Sequence, residues 1–145
     1  ATPVIRRVKS EARGGGNIVI DCPPGSACSM VHAVEGADGC LMVTEPTPFG
    51  LHDLRQAVAV VKQMEIPVAV VINRSDLGQA DIEGYCQQAG VPVLMKIPYD
   101  PELARAYAEG RDAVSIGETW RARFESLWQA VQDSFSKTAL PVSGE

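Results

Sequence analysis

The chain has 145 residues, of which 46% are apolar and 21% charged, the balance of one globular domain able to bury a real core. A net charge of −5 supplies no electrostatic footprint for nucleic acid. No apolar run approaches the roughly 18 residues of a membrane span, and no signal-peptide pattern is present.

In chain order, residues 1–16 read as a lead-in: Arg6, Arg7, Lys9 and Arg13 form a solvated basic cluster, and Gly14-Gly15-Gly16 reads as linker. Residues 18–21 are a short β-branched run ending in an aspartate, followed at once by Cys22-Pro23-Pro24-Gly25. Runs of this kind form the buried strands of parallel sheets, whose ligands bind at the carboxyl ends. An aspartate placed there, Asp21, can hold Mg²⁺ through water beside terminal phosphates. Gly25 lacks a Cβ and admits backbone close to a γ-phosphate. A strand end closed by an ordinary turn fits the same residues.

Further strands are expected at 40–44, 68–72 and 93–97. Between them Leu51, Leu54, Val58, Val61 and Met64 recur at helical spacing. His52 and Asp53 are placed at the start of that helix, where Asp53 favours the N-terminal dipole. Shorter helices are expected at 80–89 and at 102–109, the second stopped by Gly110. A last helix over 118–135 sets Trp120, Phe124, Leu127, Trp128, Val131 and Phe135 on one stripe, read as core. Residues 137–145 read as a flexible tail. The four cysteines, Cys22, Cys28, Cys40 and Cys86, form no Cys-x-x-Cys pair and have no zinc-finger histidine spacing. Cys40 and Cys86 are expected to be buried thiols. Without a disulfide scaffold, the cytoplasm is the expected compartment.

Alternation of strand and helix predicts an α/β fold: three layers, with a mostly parallel sheet flanked by helices. The chain has no Gly-x-x-x-x-Gly-Lys-Ser/Thr motif, and the triple glycine is followed by a strand, not by Lys and a helix. Residues 17–136 are therefore expected to be the C-terminal part of a nucleotide-binding domain, a partial P-loop NTPase fold.

Four strand–loop units stand in order: Ile18-Val19-Ile20-Asp21-Cys22-Pro23-Pro24-Gly25; Val43-Thr44-Glu45-Pro46-Thr47-Pro48-Phe49-Gly50-Leu51-His52-Asp53-Leu54; Val70-Val71-Ile72-Asn73-Arg74-Ser75-Asp76; and Lys96-Ile97-Pro98-Tyr99-Asp100-Pro101. The set resembles the MinD/ParA/Mrp family of P-loop ATPases, which includes the nitrogenase iron protein, and most of all the MinD-like ATPases with an inserted ferredoxin domain. The resemblance covers residues 18–110, and its second unit is the most specific.

The resemblance implies roles residue by residue. Asp21 matches the Walker B aspartate that organises Mg²⁺ and the attacking water, and Gly25 the switch glycine, with Pro23 and Pro24 beside the nucleotide. Asn73 and Asp76 match an Asn-Lys-x-Asp-like pattern, with Arg74 in place of the Lys. There the asparagine hydrogen-bonds the adenine edge. Pro98, Tyr99 and Asp100 match the loop that walls the base. Cys28 lies seven residues after Asp21, the offset at which the nitrogenase iron protein ligates a [4Fe–4S] cluster shared by two subunits. In this chain the turn glycine, Gly25, sits one position later than in that protein.

The expected parent is an ATPase that binds MgATP, dimerises around it, hydrolyses it to ADP and couples this to a partner. The P-loop groups would come from outside this chain, and the chain alone is expected to turn over no ATP. Two alternatives stand beside it: an ATP-gated iron–sulfur redox or cluster-carrier protein with an iron–sulfur partner, and a nucleotide-free interaction module of the same fold.

Overall fold

A computed structural model describes residues 16–22 and 27–136. The expected lead-in and tail lie almost wholly outside the described residues, as do Pro23, Pro24 and Gly25. The elements are α1 (Ala27–Val34), β1 (Cys40–Thr44), α2 (Pro48–Gln63), β2 (Val68–Asn73), α3 (Ile82–Ala89), β3 (Val93–Ile97), α4 (Pro101–Ala108), a 3₁₀ turn (Ala113–Ser115) and α5 (Glu118–Ser136).

The three strands form one sheet in the order β1-β2-β3, and both pairings are parallel. Cys40 pairs with Val68 and Thr44 with Ile72; Asn73 pairs with Ile97. A register shift falls between Val70 and Val71 on the β3 side. All three carboxyl ends therefore finish along one edge, the usual consequence of helical crossovers between parallel strands.

Alternation along β2 divides the core. Val68, Val70 and Ile72 face one layer, where they join Leu54, Val58 and Val61 of α2 and Ile82 and Cys86 of α3. Val71 faces the other layer, with Ile97 and Trp120, against which Leu103, Phe124 and Leu127 pack. β2 is consequently buried on both faces, as its unbroken apolar run requires.

The helix caps carry sequence logic. Thr47 caps α2, its hydroxyl accepting from the Gly50 amide at 2.9 Å, and Pro48 opens the first turn. Asp81 caps α3 in the same way, and Gly90 closes that helix at φ 63°. Gly110, at φ 71°, follows α4 as expected.

Several expectations are corrected. Residues 18–21 form no strand: Ile18 is 52% and Val19 78% exposed, and neither pairs with the sheet. A β-branched run becomes a strand only when a neighbour accepts its ladder, and no described strand does. His52 and Asp53 do not start a helix, because α2 already begins at Pro48. The acidic dipole partner expected of Asp53 is absent from the first turn, and the cap is Thr47. Cys40 is only partly buried, while Cys86 is fully so. On the last helix Trp120 is buried, but Trp128 is 40% exposed while its neighbour Leu127 packs on the core, so Trp128 lies off the buried stripe. Near the end of that helix Phe135 lies directly over Gly39, where a Cβ would stand 2.2 Å from the ring.

Candidate functional site

The loops leaving the three strand ends are stitched together by backbone. The Ser75 amide donates to Ile97 O at 3.0 Å, joining the loops after β2 and β3. The Gln79 amide donates to Pro46 O at 3.1 Å, joining those after β2 and β1. Gly50 permits the first loop to fold tightly, since a Cβ there would stand 2.4 Å from Glu45 O.

Between these loops and α4 lies a cavity of about 490 Å³. Glu45, Asn73 and Arg74 line one side, Pro98, Tyr99 and Asp100 another, and Leu103, Tyr107, Arg111, Ala113 and Phe124 complete the wall together with Ile97 and Ala104. Apolar and aromatic walls with a few convergent polar groups suit a flat heteroaromatic ligand. A second cavity, about 320 Å³ between β3 and α5, is walled by Leu94, Met95, Ala122, Arg123, Ser126 and Leu127. It lies away from the strand ends, so the first cavity is the candidate site.

Each wall has a structural cause. Asn73 ends β2, and its Nδ2 donates to Glu45 Oε1 at 3.3 Å. The sharp turn after it falls on Arg74, which adopts φ 50° at a cost of about 1–2 kcal/mol for a non-glycine residue. That turn lays the Arg74 guanidinium over the Tyr99 ring, 4.8 Å from its centroid. Asp76 Oδ1 accepts from the Tyr99 amide at 2.6 Å and fixes the loop after β3. Asp100 caps α4, its Oδ1 accepting from the amides of Glu102 at 2.8 Å and Leu103 at 3.3 Å. Its Oδ2 accepts from the Trp120 indole at 3.0 Å. The Trp120 indole first, and then the Leu103 amide, hold the Asp100 carboxyl below its usual range.

Asn73, Pro98, Tyr99 and Asp100 are thus brought together around one cavity. Asp76 stands behind it and supports Tyr99. Asp100 spends both oxygens on the cap and on Trp120, so it shapes the wall through α4. Asp21 is exposed and does not line the cavity. Cys28 lies on α1, with its side chain outside the described set. Among the described residues, no three His, Cys, Asp or Glu side chains cluster as a metal site.

Sequence reasoning missed Glu45, Tyr107 and Arg111 as cavity residues, and missed Trp120 as the partner of Asp100. Glu45 had a legible signal, since it directly follows β1 within the most specific motif. Trp120 was hidden by its place on an apolar stripe, where the ring packs and the N–H acts separately.

Fold and site together define a parallel α/β protein whose strand-end loops enclose a ligand-sized cavity. A family model described as NUBPL iron-transfer P-loop NTPase, of the ParA group, matches residues 16–133, and the chain belongs to that family. An uncharacterized protein of Methanocaldococcus jannaschii is 37% identical over 100 residues, covering 69% of this chain and 34% of the relative. An iron-sulfur cluster carrier protein of Pyrococcus abyssi is 30% identical over 139 residues, covering 84% of this chain and 47% of its own length. The cytosolic Fe-S cluster assembly factor NUBP2 of Rattus norvegicus is 29% identical over 115 residues, covering 67% and 42%. The chain therefore spans about a third to a half of the lengths of these relatives.

Proposed function

We propose that this chain forms the base-binding and Mg²⁺-organising part of a nucleotide-hydrolysing iron–sulfur cluster carrier. The observation that carries the reading is the convergence of Asn73, Pro98 and Tyr99 on one cavity at the carboxyl edge of a parallel sheet. The names of the relatives, an iron-sulfur cluster carrier and an Fe-S cluster assembly factor, favour cluster transfer over the MinD-type coupling to an unspecified partner.

In this reading the purine enters between Tyr99 and the apolar wall, and the Asn73 amide meets its edge. Asp21, an exposed carboxylate, suits Mg²⁺, which keeps several waters and takes one or two carboxylates beside the phosphates. Mg²⁺ would neutralise charge developing on the phosphoryl group. Gly25 and its flanking Pro23 and Pro24 would lie against the γ-phosphate. Cys28 is the candidate ligand for the cluster as cargo, shared across a homodimer, and a cytoplasmic setting suits such a thiolate site.

The test uses the polypeptide carrying this chain at its full natural length. MgATP turnover and transfer of a reconstituted [4Fe–4S] cluster to an apo-acceptor are measured for the wild type, Asp21→Ala and Cys28→Ser. The reading expects Asp21→Ala to abolish turnover and Cys28→Ser to abolish cluster retention while nucleotide still binds. Turnover indifferent to Asp21 would remove the hydrolytic assignment. Clusters held equally well without Cys28 would remove the cargo site.

A further inference from the structure

We propose that Glu45 is a positioning residue that turns the Asn73 amide so that the site accepts 6-amino purines and rejects 6-oxo purines. The inference rests on the nucleotide reading above and adds to it the residue that sets base choice.

An asparagine amide can face a ligand with either its carbonyl or its NH₂, and the two ends read opposite chemistry. In this site the choice is removed. A carboxylate only accepts, so the end of Asn73 that faces Glu45 Oε1, 3.3 Å away, must be Nδ2. Oδ1 is then on the opposite side of the amide, and among the described residues it accepts no hydrogen bond. An unspent acceptor beside the cavity pairs with an N–H donor. The 6-amino group of adenine is such a donor, whereas the 6-oxo group of hypoxanthine or guanine sets two acceptors against each other.

The carriers of both side chains are held firmly, which a positioning role requires. The Glu45 carbonyl accepts from the Thr47 amide at 2.8 Å, and the close pass of Gly50 packs against it. Asn73 is the last paired residue of the buried central strand, opposite Ile97. Arg74 follows in a left-handed conformation that directs the chain away immediately after it. Both Glu45 and Asn73 line the same cavity, so the pair is in reach of one ligand.

The experiment measures equilibrium binding of MgADP and MgIDP by calorimetry on the full-length polypeptide, for the wild type, Glu45→Gln and Asn73→Ala. ADP and IDP share their phosphates and sugar and differ in the donor pattern at the six-membered edge of the base. Glutamine keeps the size of Glu45 and can donate as well as accept, which frees Asn73 to rotate. The expected result is a wild-type preference for ADP that falls by about tenfold in Glu45→Gln, the value of one hydrogen bond matched or mismatched. The fall should combine weaker ADP binding with unchanged or stronger IDP binding. Asn73→Ala should lose the preference by weakening ADP alone. A merely structural role would weaken both nucleotides together.

A wild type that prefers ADP by the same ratio after Glu45→Gln overturns the inference and leaves nucleotide binding standing. Equal wild-type affinity for ADP and IDP also overturns it. Absence of binding to either nucleotide brings down the nucleotide reading itself, and the inference with it.

Discussion

The Trp120 indole N–H meets the Asp100 carboxylate at 3.0 Å, tying the first turn of the last helix to the loop that walls the cavity. Two elements separated by twenty residues are joined at a cap that also receives two backbone amides. Arg123 adds to the same knot: its guanidinium lies 4.5 Å from the Trp120 ring centroid, and its Nη2 donates to Lys96 O at 2.7 Å. The wall of the site is thereby supported by the last helix, whose Phe124 also lines the cavity.

Trp120→Phe keeps the ring and removes the donor. Because the indole is the largest cause of the lowered Asp100 value, the carboxyl should return toward its usual range in the variant. The sign follows from linkage. A carboxyl lowered in the folded state contributes stability that is present above its unfolded value of 3.8 and lost as pH falls through the folded value. Urea midpoints measured against pH should therefore show a wild-type advantage that is constant above the ordinary carboxyl range and narrows toward acid. A gap that does not change with pH would mean that Trp120 acts by packing alone.

Thr47→Ala removes the hydroxyl that accepts the Gly50 amide. Loss of such a cap costs about 1 kcal/mol, and Thr47→Ser should restore most of it. Denaturant melts of the three proteins decide this. Serine behaving like alanine would show that the β-branched methyl, rather than the oxygen, holds the start of α2.

How far the fold could be read in advance depended on where each constraint lies. The α2 stripe was legible because Leu54, Val58 and Val61 recur at helical spacing and all three are buried. β2 was legible because five consecutive residues are apolar and the chain buries every one of them. Residues 18–21 carry the same local pattern and form no strand, since pairing is a property of neighbours that a single run does not encode. At the site, Asn73, Pro98 and Tyr99 could be found because each stands at or just after the end of a strand. The hydrogen bond from Asn73 to Glu45 spans 28 positions, and that from Trp120 to Asp100 spans 20. Those partners are chosen by register and helix packing, which spacing along the sequence leaves open.

Ile82 is 1% exposed and packs in the layer that joins α2, α3 and the sheet. Ile82→Ala should destabilise the domain by about 2–5 kcal/mol, through lost burial and the cavity left behind. Unfolding in guanidinium gives the value directly. A loss below about 1 kcal/mol would show that α3 collapses into the vacated space.

The thiols supply a test of burial that needs no substitution. Burial, with the nearby Cys22 as a lesser cause, raises Cys40 from 9.0 to about 11, and burial also raises Cys86. Only the thiolate is alkylated, so at pH 8 both should resist iodoacetamide in the native protein and react in urea. Exposed Cys22 should be labelled first. The stability held by the Cys40 thiol is fully present below its unfolded value of 9.0 and is lost as pH rises through about 11, so its protection should fail across that interval. Mass spectrometry of peptides labelled over a pH series resolves each cysteine. Labelling of Cys86 in step with Cys22 at pH 8 would show that α3 opens far more readily than its packing against α2 implies.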